Sequence, residues 1–185
     1  MGSKLVKFYI QPSMTARVIG KIICLKIDIG LDDHSIEDLW ASMVKDGSLD
    51  FLLNLPDRFT QTTDSVGWMG DFQPGDKNYS YLAGVLVQPD TPVPDGYVFR
   101  DIVQCEMAIG WIQETDGDEG GDIHANASDH ISKAMQENGY MYDGSHGFFE
   151  MEYYSYERFR VPEKRGEKVV LDFYSPCKKA NSIAA

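Results

Sequence analysis

Cysteine is scarce in this chain. The three present, Cys24, Cys105 and Cys177, are widely spaced and form no C-x-x-C pair. An odd, scattered set reads as reduced thiols in a cytoplasmic protein rather than as a disulfide framework. Long apolar runs are also missing: no window approaches about eighteen apolar residues, so no spanning helix is expected. The opening MGSKLVKFYI lacks the apolar stretch and small-residue cleavage site of a secretion signal, and Val6 stands where N-myristoylation wants Ser or Thr. Positive charge is in deficit, with 17 Lys and Arg against 29 Asp and Glu and a net charge of −12. That balance repels phosphate backbones and anionic lipid, so direct nucleic-acid or membrane binding is not expected, whereas cationic ligands are drawn in. The sequence carries no Rossmann or P-loop fingerprint, no serine elbow and no Cys–His catalytic signature. No cofactor is implied.

What is present fits one domain. The 185 residues can bury roughly two-thirds of their unfolded surface, enough to fold without disulfides or metal. Apolar residues at 43% and charged residues at 25% are ordinary. The aromatic share of 12%, with ten tyrosines, is high and points to a β-rich fold or a ring-lined cavity.

Residues 16–27, ARVIGKIICLKI, are rich in β-branched side chains and predict a strand. Ser35 and Asp38 resemble a capping box, and Ile36, Leu39, Trp40, Met43 and Val44 form one helical face stopped by Gly47. LDFLLNLP reads as one more helical turn, closed by Pro56. SVGWMGDF (65–72) and YSYLAGVLV (79–87), joined by the turn QPGDKN, read as a hairpin, and a proline-rich connector follows. The pattern then recurs. Residues 99–113 predict a long strand, ETDGDEGGD an acidic loop, and Ile123, Ala127, Ile131, Ala134 and Met135 one helical face stopped by Gly139. Residues 148–159 and 167–176 predict two further strands. The expected fold is α+β, a strand–helix–strand–strand unit used twice to make one antiparallel sheet with helices packed against it and a ligand cleft between the halves. The expected limits are an N-terminal segment 1–15, a single domain 16–178 with halves at about 16–90 and 97–178, and a flexible tail 179–185.

This order of elements, the stretch MEYYSYERF and the ending VVLDFYSPCK resemble the gyrase-inhibitor-like (GyrI-like), effector-binding domains, also found attached to AraC-type and MerR-type regulators. The resemblance covers about residues 16–178. Its motifs are a Glu just ahead of a Tyr in the penultimate strand and a D-x-x-x-P ending, here Asp172 and Pro176. It implies binding of hydrophobic, often cationic, small molecules in a groove between the halves, with a characteristic groove glutamate. That role falls on Glu152, ahead of Tyr153; the extra Tyr154 leaves Glu150 and Glu157 as alternatives. Some stand-alone relatives resemble hydrolases that open the cyclopropane ring of DNA-alkylating natural products. The chain leaves no room for a helix-turn-helix domain and reads as a stand-alone member.

In an undistorted strand Glu150, Glu152, Tyr154 and Tyr156 share one face, while Phe149, Met151, Tyr153 and Ser155 take the other. The second, more apolar face is expected against the helices. Alternating acids and rings suit a flat cation through stacking, cation–π attraction and counter-charge; the plainer alternative is a solvent-facing edge, with Glu157 in a surface ion pair with a neighbouring base. Trp68 and Trp111 stand beside glycines in strands, which leaves room for a ligand or for core packing. Tyr81 has a hydroxyl that could reach a ligand or a buried acid. Trp40 reads as core. A metal site is not expected: His124 and His130 fall on different helix faces, and DGDEGGD departs from a calcium loop at Gly120 and Ala127. His34 and His146 read as surface residues.

Three functions follow. The first is a small-molecule binding module, with Glu152 as charge and Trp68, Trp111, Tyr81 and Tyr154 as walls. The second is a cyclopropane-opening hydrolase in which Glu152, with Glu157 and Tyr154, carries the chemistry, the buried glutamate having a raised pKa. The third is an acidic interaction protein of the gyrase-inhibitor type, with a protein partner.

Overall fold

A computed structural model of the chain describes residues 2–27, 34–59, 63–72, 75–117 and 122–180. The strands are β1 (Gly2–Lys26), β2 (Ser65–Phe72), β3 (Asn78–Val87), β4 (Val98–Thr115), β5 (Tyr140–Tyr142), β6 (Phe148–Tyr154) and β7 (Val170–Lys179). The helices are α1 (Ser35–Lys45), α2 (Ser48–Leu53), α3 (Ala127–Glu137) and α4 (Val161–Arg165). A π-helical turn, Tyr156–Arg160, runs into α4. All strand pairings are antiparallel, in the order β4-β1-β3-β2-β6-β7-β5, and β4 also pairs with β7. This last pairing closes six strands into a ring. The expected α+β fold, two strand–helix–strand–strand halves sharing one sheet, is the observed one; α2 is the extra helical turn expected at LDFLLNLP, and β5 and α4 are additions.

Closure gives the sheet two buried faces. The inner one holds Val18, Val66, Trp68, Leu82, Met107, Ile109 and Met151, packed strand against strand. The outer one carries the helices. Met43 and Leu52 bury completely under α1 and α2 against Ile19, Ala83 and Val85. Ile131 and Met135 of α3 pack on Ala108, Ile112 and Phe173. Each large aliphatic side chain buried this way stabilises the fold by about 1.5–3 kcal/mol. Gly110 lets α3 come close, since a Cβ there would sit 2.2 Å from Ile131 Cδ1.

Several expectations need correction. The first strand starts at Gly2 rather than Ala16, so residues 2–15 join the sheet instead of standing apart. Over that length β1 pairs only with β4, and register shifts flank Pro12, the kind of edge position where a proline costs no ladder bond. The helix α1 has His34 at its N-cap, with no side-chain capping bond, so Ser35 is already helical and the capping box does not form. The strand expected to reach Phe159 ends at Tyr154, and Glu157 sits exposed on the π-helical turn. Met151 and Phe149 face the inside of the ring, and it is the Glu150, Glu152 and Tyr154 face that lies toward the helices. The last strand extends through Lys179. The start of the QPGDKN turn, the middle of the acidic Gly-rich loop and residues 181–185 of the expected tail lie outside the described residues.

Candidate functional site

Period-two alternation along β6 brings Glu152 and Tyr154 to one face, and the register sets Glu152 between Gly67 of β2 and Phe173 of β7. The neighbouring strand β3 supplies Tyr81 to the same face. Gly67 makes this possible: a Cβ there would lie 2.0 Å from the Tyr81 hydroxyl and 3.1 Å from Glu152 Oε2. The glycine opens the space in which hydroxyl and carboxylate meet.

Glu152 is 5% exposed, and its carboxylate is fully engaged. The Tyr154 hydroxyl donates to Oε2 at 2.6 Å and the Tyr81 hydroxyl to the same oxygen at 3.1 Å. His124 Nδ1 stands 2.8 Å from Oε1 and donates to it. Trp40 Nε1 donates to the Tyr81 hydroxyl at 3.1 Å, so the network reaches back to α1. Burial works to raise the pKa of Glu152, but the bond and charge of His124 and the two hydroxyls outweigh it and hold the carboxyl below its usual range. The raised pKa expected for a buried glutamate is therefore not found. Burial, followed by the charge on Glu152, pushes both tyrosines well above their ordinary value, so they stay protonated donors. Burial lowers the His124 pKa, yet the bond and charge of Glu152, then the charges of Asp122 and Glu114, carry it above its ordinary value.

This network floors a cleft of about 580 Å³. Trp40 of α1, Tyr154 and Phe159 form aromatic walls, with Tyr154 edge-on to Trp40 at 5.6 Å and to Phe159 at 4.9 Å. Glu37, Asp122 and Glu163 stand around the opening. The Arg160 guanidinium lies 4.9 Å from the Tyr154 ring centre. An adjoining hollow of about 510 Å³ shares Asp122, His124, Phe159 and Glu163 and adds Glu114, Asp116 and Glu167.

Of the residues picked from sequence, the structure brings Glu152, Tyr81 and Tyr154 together. Trp68 stacks on Phe149 inside the ring, on the far face of the sheet, and Gly70 beside it accommodates its own indole. Trp111 packs between the Lys7 ammonium, 4.0 Å from its ring centre, and the Arg158 guanidinium, at 4.3 Å. Neither tryptophan lines the cleft. Glu150 accepts from Ser128 and Ser175 and is also outside it. Asp172 is 1% exposed and accepts from Arg158 Nε at 3.0 Å, which makes it a buried structural counter-charge.

His124, Trp40, Phe159 and Arg160 are the site residues that sequence reasoning did not pick. His124 precedes α3 in a turn, and His130 bonds Ser3 Oγ of β1 instead of sharing a site with it. Among the described residues no group of three or more His, Cys, Asp or Glu could hold a metal ion, and no helix is long and apolar enough to cross a membrane.

No protein-family model matches the chain, and no curated protein sequence matches it. Solved structures do. SAV2435, solved bound to tetraphenylphosphonium, matches at a TM-score of 0.62 with 11% identity over 94% of each chain. The C-terminal domain of EcmrR matches at 0.55 and 11% identity, over 97% of this chain and 99% of that one. An integron cassette protein from the mobile metagenome of Vibrio cholerae matches at 0.53 and 8% identity, over 95% or more of both chains, 96% here and 100% there. The chain thus has the duplicated α+β fold of the gyrase-inhibitor-like, effector-binding domains, and the resemblance read in its sequence holds at the level of fold.

Proposed function

We propose that this protein binds an aromatic, cationic small molecule in the cleft between its two halves. Glu152 supplies the counter-charge, Tyr81 and Tyr154 hold its carboxylate in place, and Trp40, Tyr154 and Phe159 receive the flat groups of the guest. One observation carries the reading: a carboxylate almost fully buried beneath aromatic walls, with hydrogen-bond partners on both of its oxygens. Such a group has already met its desolvation cost in the fold, so a desolvated cation finds a fixed partner there. The tetraphenylphosphonium-bound relative, a lipophilic cation on the same fold, supports the choice of probe. Titration with tetraphenylphosphonium, followed through the fluorescence of Trp40 and by mass spectrometry of the recovered compound, tests it. Saturable quenching with the compound unchanged is the expected result, and absence of saturable binding overturns the proposal.

The hydrolytic reading draws on the His124–Glu152 contact, which joins an accessible proton carrier to a buried base. With Glu152 ionised, proton donation to a developing oxyanion would fall to His124 rather than to the glutamate. Incubation with cyclopropane-bearing alkylators decides it: a mass gain of one water, lost with Glu152→Gln, is its signature, and unchanged compounds rule it out.

A further inference from the structure

The charge that a cationic guest would seek is already matched from within the chain. Oε2 of Glu152 is taken by two tyrosine hydroxyls, and Oε1 by His124. The histidine side chain is 42% exposed where the glutamate side chain is 7% exposed, so His124 is the outermost partner of the carboxylate and borders the cleft with it. Resting on the cation-binding reading above, we propose that His124 is a resident counter-ion: a cationic guest replaces it on Glu152 Oε1, and one proton leaves the protein as the guest binds.

The surroundings of His124 fix the sign. Glu152 and Tyr154 face it from β6, Glu114 acts on it from β4, and Asp122 lies in its own loop. Phe159 packs against it from the π-helical turn, and Arg160, Glu163 and Glu37 line the same cleft from that turn, α4 and α1. Acids dominate this set, and the imidazole is held above its ordinary pKa while paired. A guest cation on Glu152 removes the nearest of these charges and adds a positive one, so the imidazole gives up its proton. Binding therefore favours the deprotonated form, and affinity rises with pH until the free imidazole is already neutral, then levels off. The proton passes to the buffer, and no bond other than the imidazole N–H is broken. Arg160 does the same service for the walls, lying 5.7 Å from both the Trp40 and Phe159 ring centres and donating to Ser65 Oγ.

Calorimetric titration of the full chain with tetraphenylphosphonium, in two buffers of different ionisation enthalpy, counts the protons released. Release of up to about one proton is expected on the acid side of the free imidazole's titration, falling toward zero as pH rises through it, with Kd improving by up to about tenfold per pH unit on the acid side. The His124→Gln variant should release none and show a flat profile. Triphenylphosphine oxide, a neutral probe of similar shape, should release none either. Tetraphenylphosphonium binding without proton release, or equal release by the neutral probe or by His124→Gln, overturns the counter-ion role while leaving the cation site standing. Failure of the cation to bind at any pH removes both. Proton NMR of the imidazole gives a second reading, since its titration should move to lower pH when the guest is bound.

Discussion

Alanine at position 67 should dismantle the site from beneath. Its Cβ would sit 2.0 Å from the Tyr81 hydroxyl oxygen and 2.6 Å from Cζ, on a ring that is 0% exposed and has nowhere to retreat. The hydroxyl must shift by about 1 Å or more, which breaks its bond to Glu152 Oε2 and the bond it accepts from Trp40. A hydrogen bond to a charged group contributes about 1.5–3 kcal/mol and a neutral one about 0.5–1.5. Overpacking a well-filled site costs about 1–3 kcal/mol. Allowing for overlap between these costs, a loss of about 3–5 kcal/mol is expected, or roughly 6–20 °C in Tm for a chain of this size. Urea denaturation followed by circular dichroism measures it. Tyr81→Phe in the Gly67→Ala background removes the oxygen at 2.0 Å but leaves Cζ at 2.6 Å, so the double variant should recover only part of the loss. A Gly67→Ala protein within about 0.5 kcal/mol of the parent, or a double variant whose costs simply add, would refute the account of why position 67 is glycine.

Three more outcomes follow from the geometry. Glu152→Gln keeps the shape of the carboxylate and removes its charge, so affinity for tetraphenylphosphonium should fall by about 2 kcal/mol or more, about thirtyfold, while a neutral aromatic probe loses little; equal losses for both, measured by calorimetry, would mean the charge is not what the site uses. Arg158→Ala leaves the buried Asp172 without its partner and should cost about 3 kcal/mol in denaturant unfolding, and less as the pH falls and burial lets the carboxyl take up a proton more readily than usual. The His124–Glu152 pair also shapes stability against pH. The depressed Glu152 contributes stability that is present above its unfolded pKa of about 4.5 and lost as pH falls through the folded value. The raised His124 contributes stability that is present below about 6.5 and lost as pH rises through the folded value. The pair thus stabilises most between these two values, and His124→Gln should remove the alkaline limb of the profile and shrink the acid one, since the bond and charge of His124 are the largest of the influences holding Glu152 down.

The residues that chemistry needs were partly visible in order of sequence. Two-residue periodicity placed Glu152 with Tyr154, and the hairpin reading put Tyr81 on a strand within reach of a buried acid. The same periodicity misassigned the faces of β6, because alternation distinguishes two sides without saying what covers each. Trp68 and Trp111 looked like pocket walls because glycines stand beside them; Gly67 does open room, but for Tyr81 and Glu152, while a Cβ at Gly70 would meet the Trp68 indole and the Phe148 carbonyl. His124 was weighed only against His130 as a metal pair, whereas its partner lies 28 residues away on another element. Trp40 has core-like spacing on α1, and nothing local says that its indole N–H will find an acceptor on Tyr81. The break after Tyr154, where the chain turns through residues 156–160 into a helix opened by Pro162, lies within a run whose aromatic content favours strand.

By itself the sequence determined the number and order of the main strands and helices, the excess of negative charge and the presence of an acid flanked by rings, since these depend on local side-chain pattern and composition. Tertiary structure alone decided which face of the sheet the helices cover, because closing six strands into a ring buries an apolar face without any helix. It also decided that two tyrosines and a histidine converge on one carboxylate, since their meeting depends on register and loop path across distant parts of the chain, and no local signal encodes either.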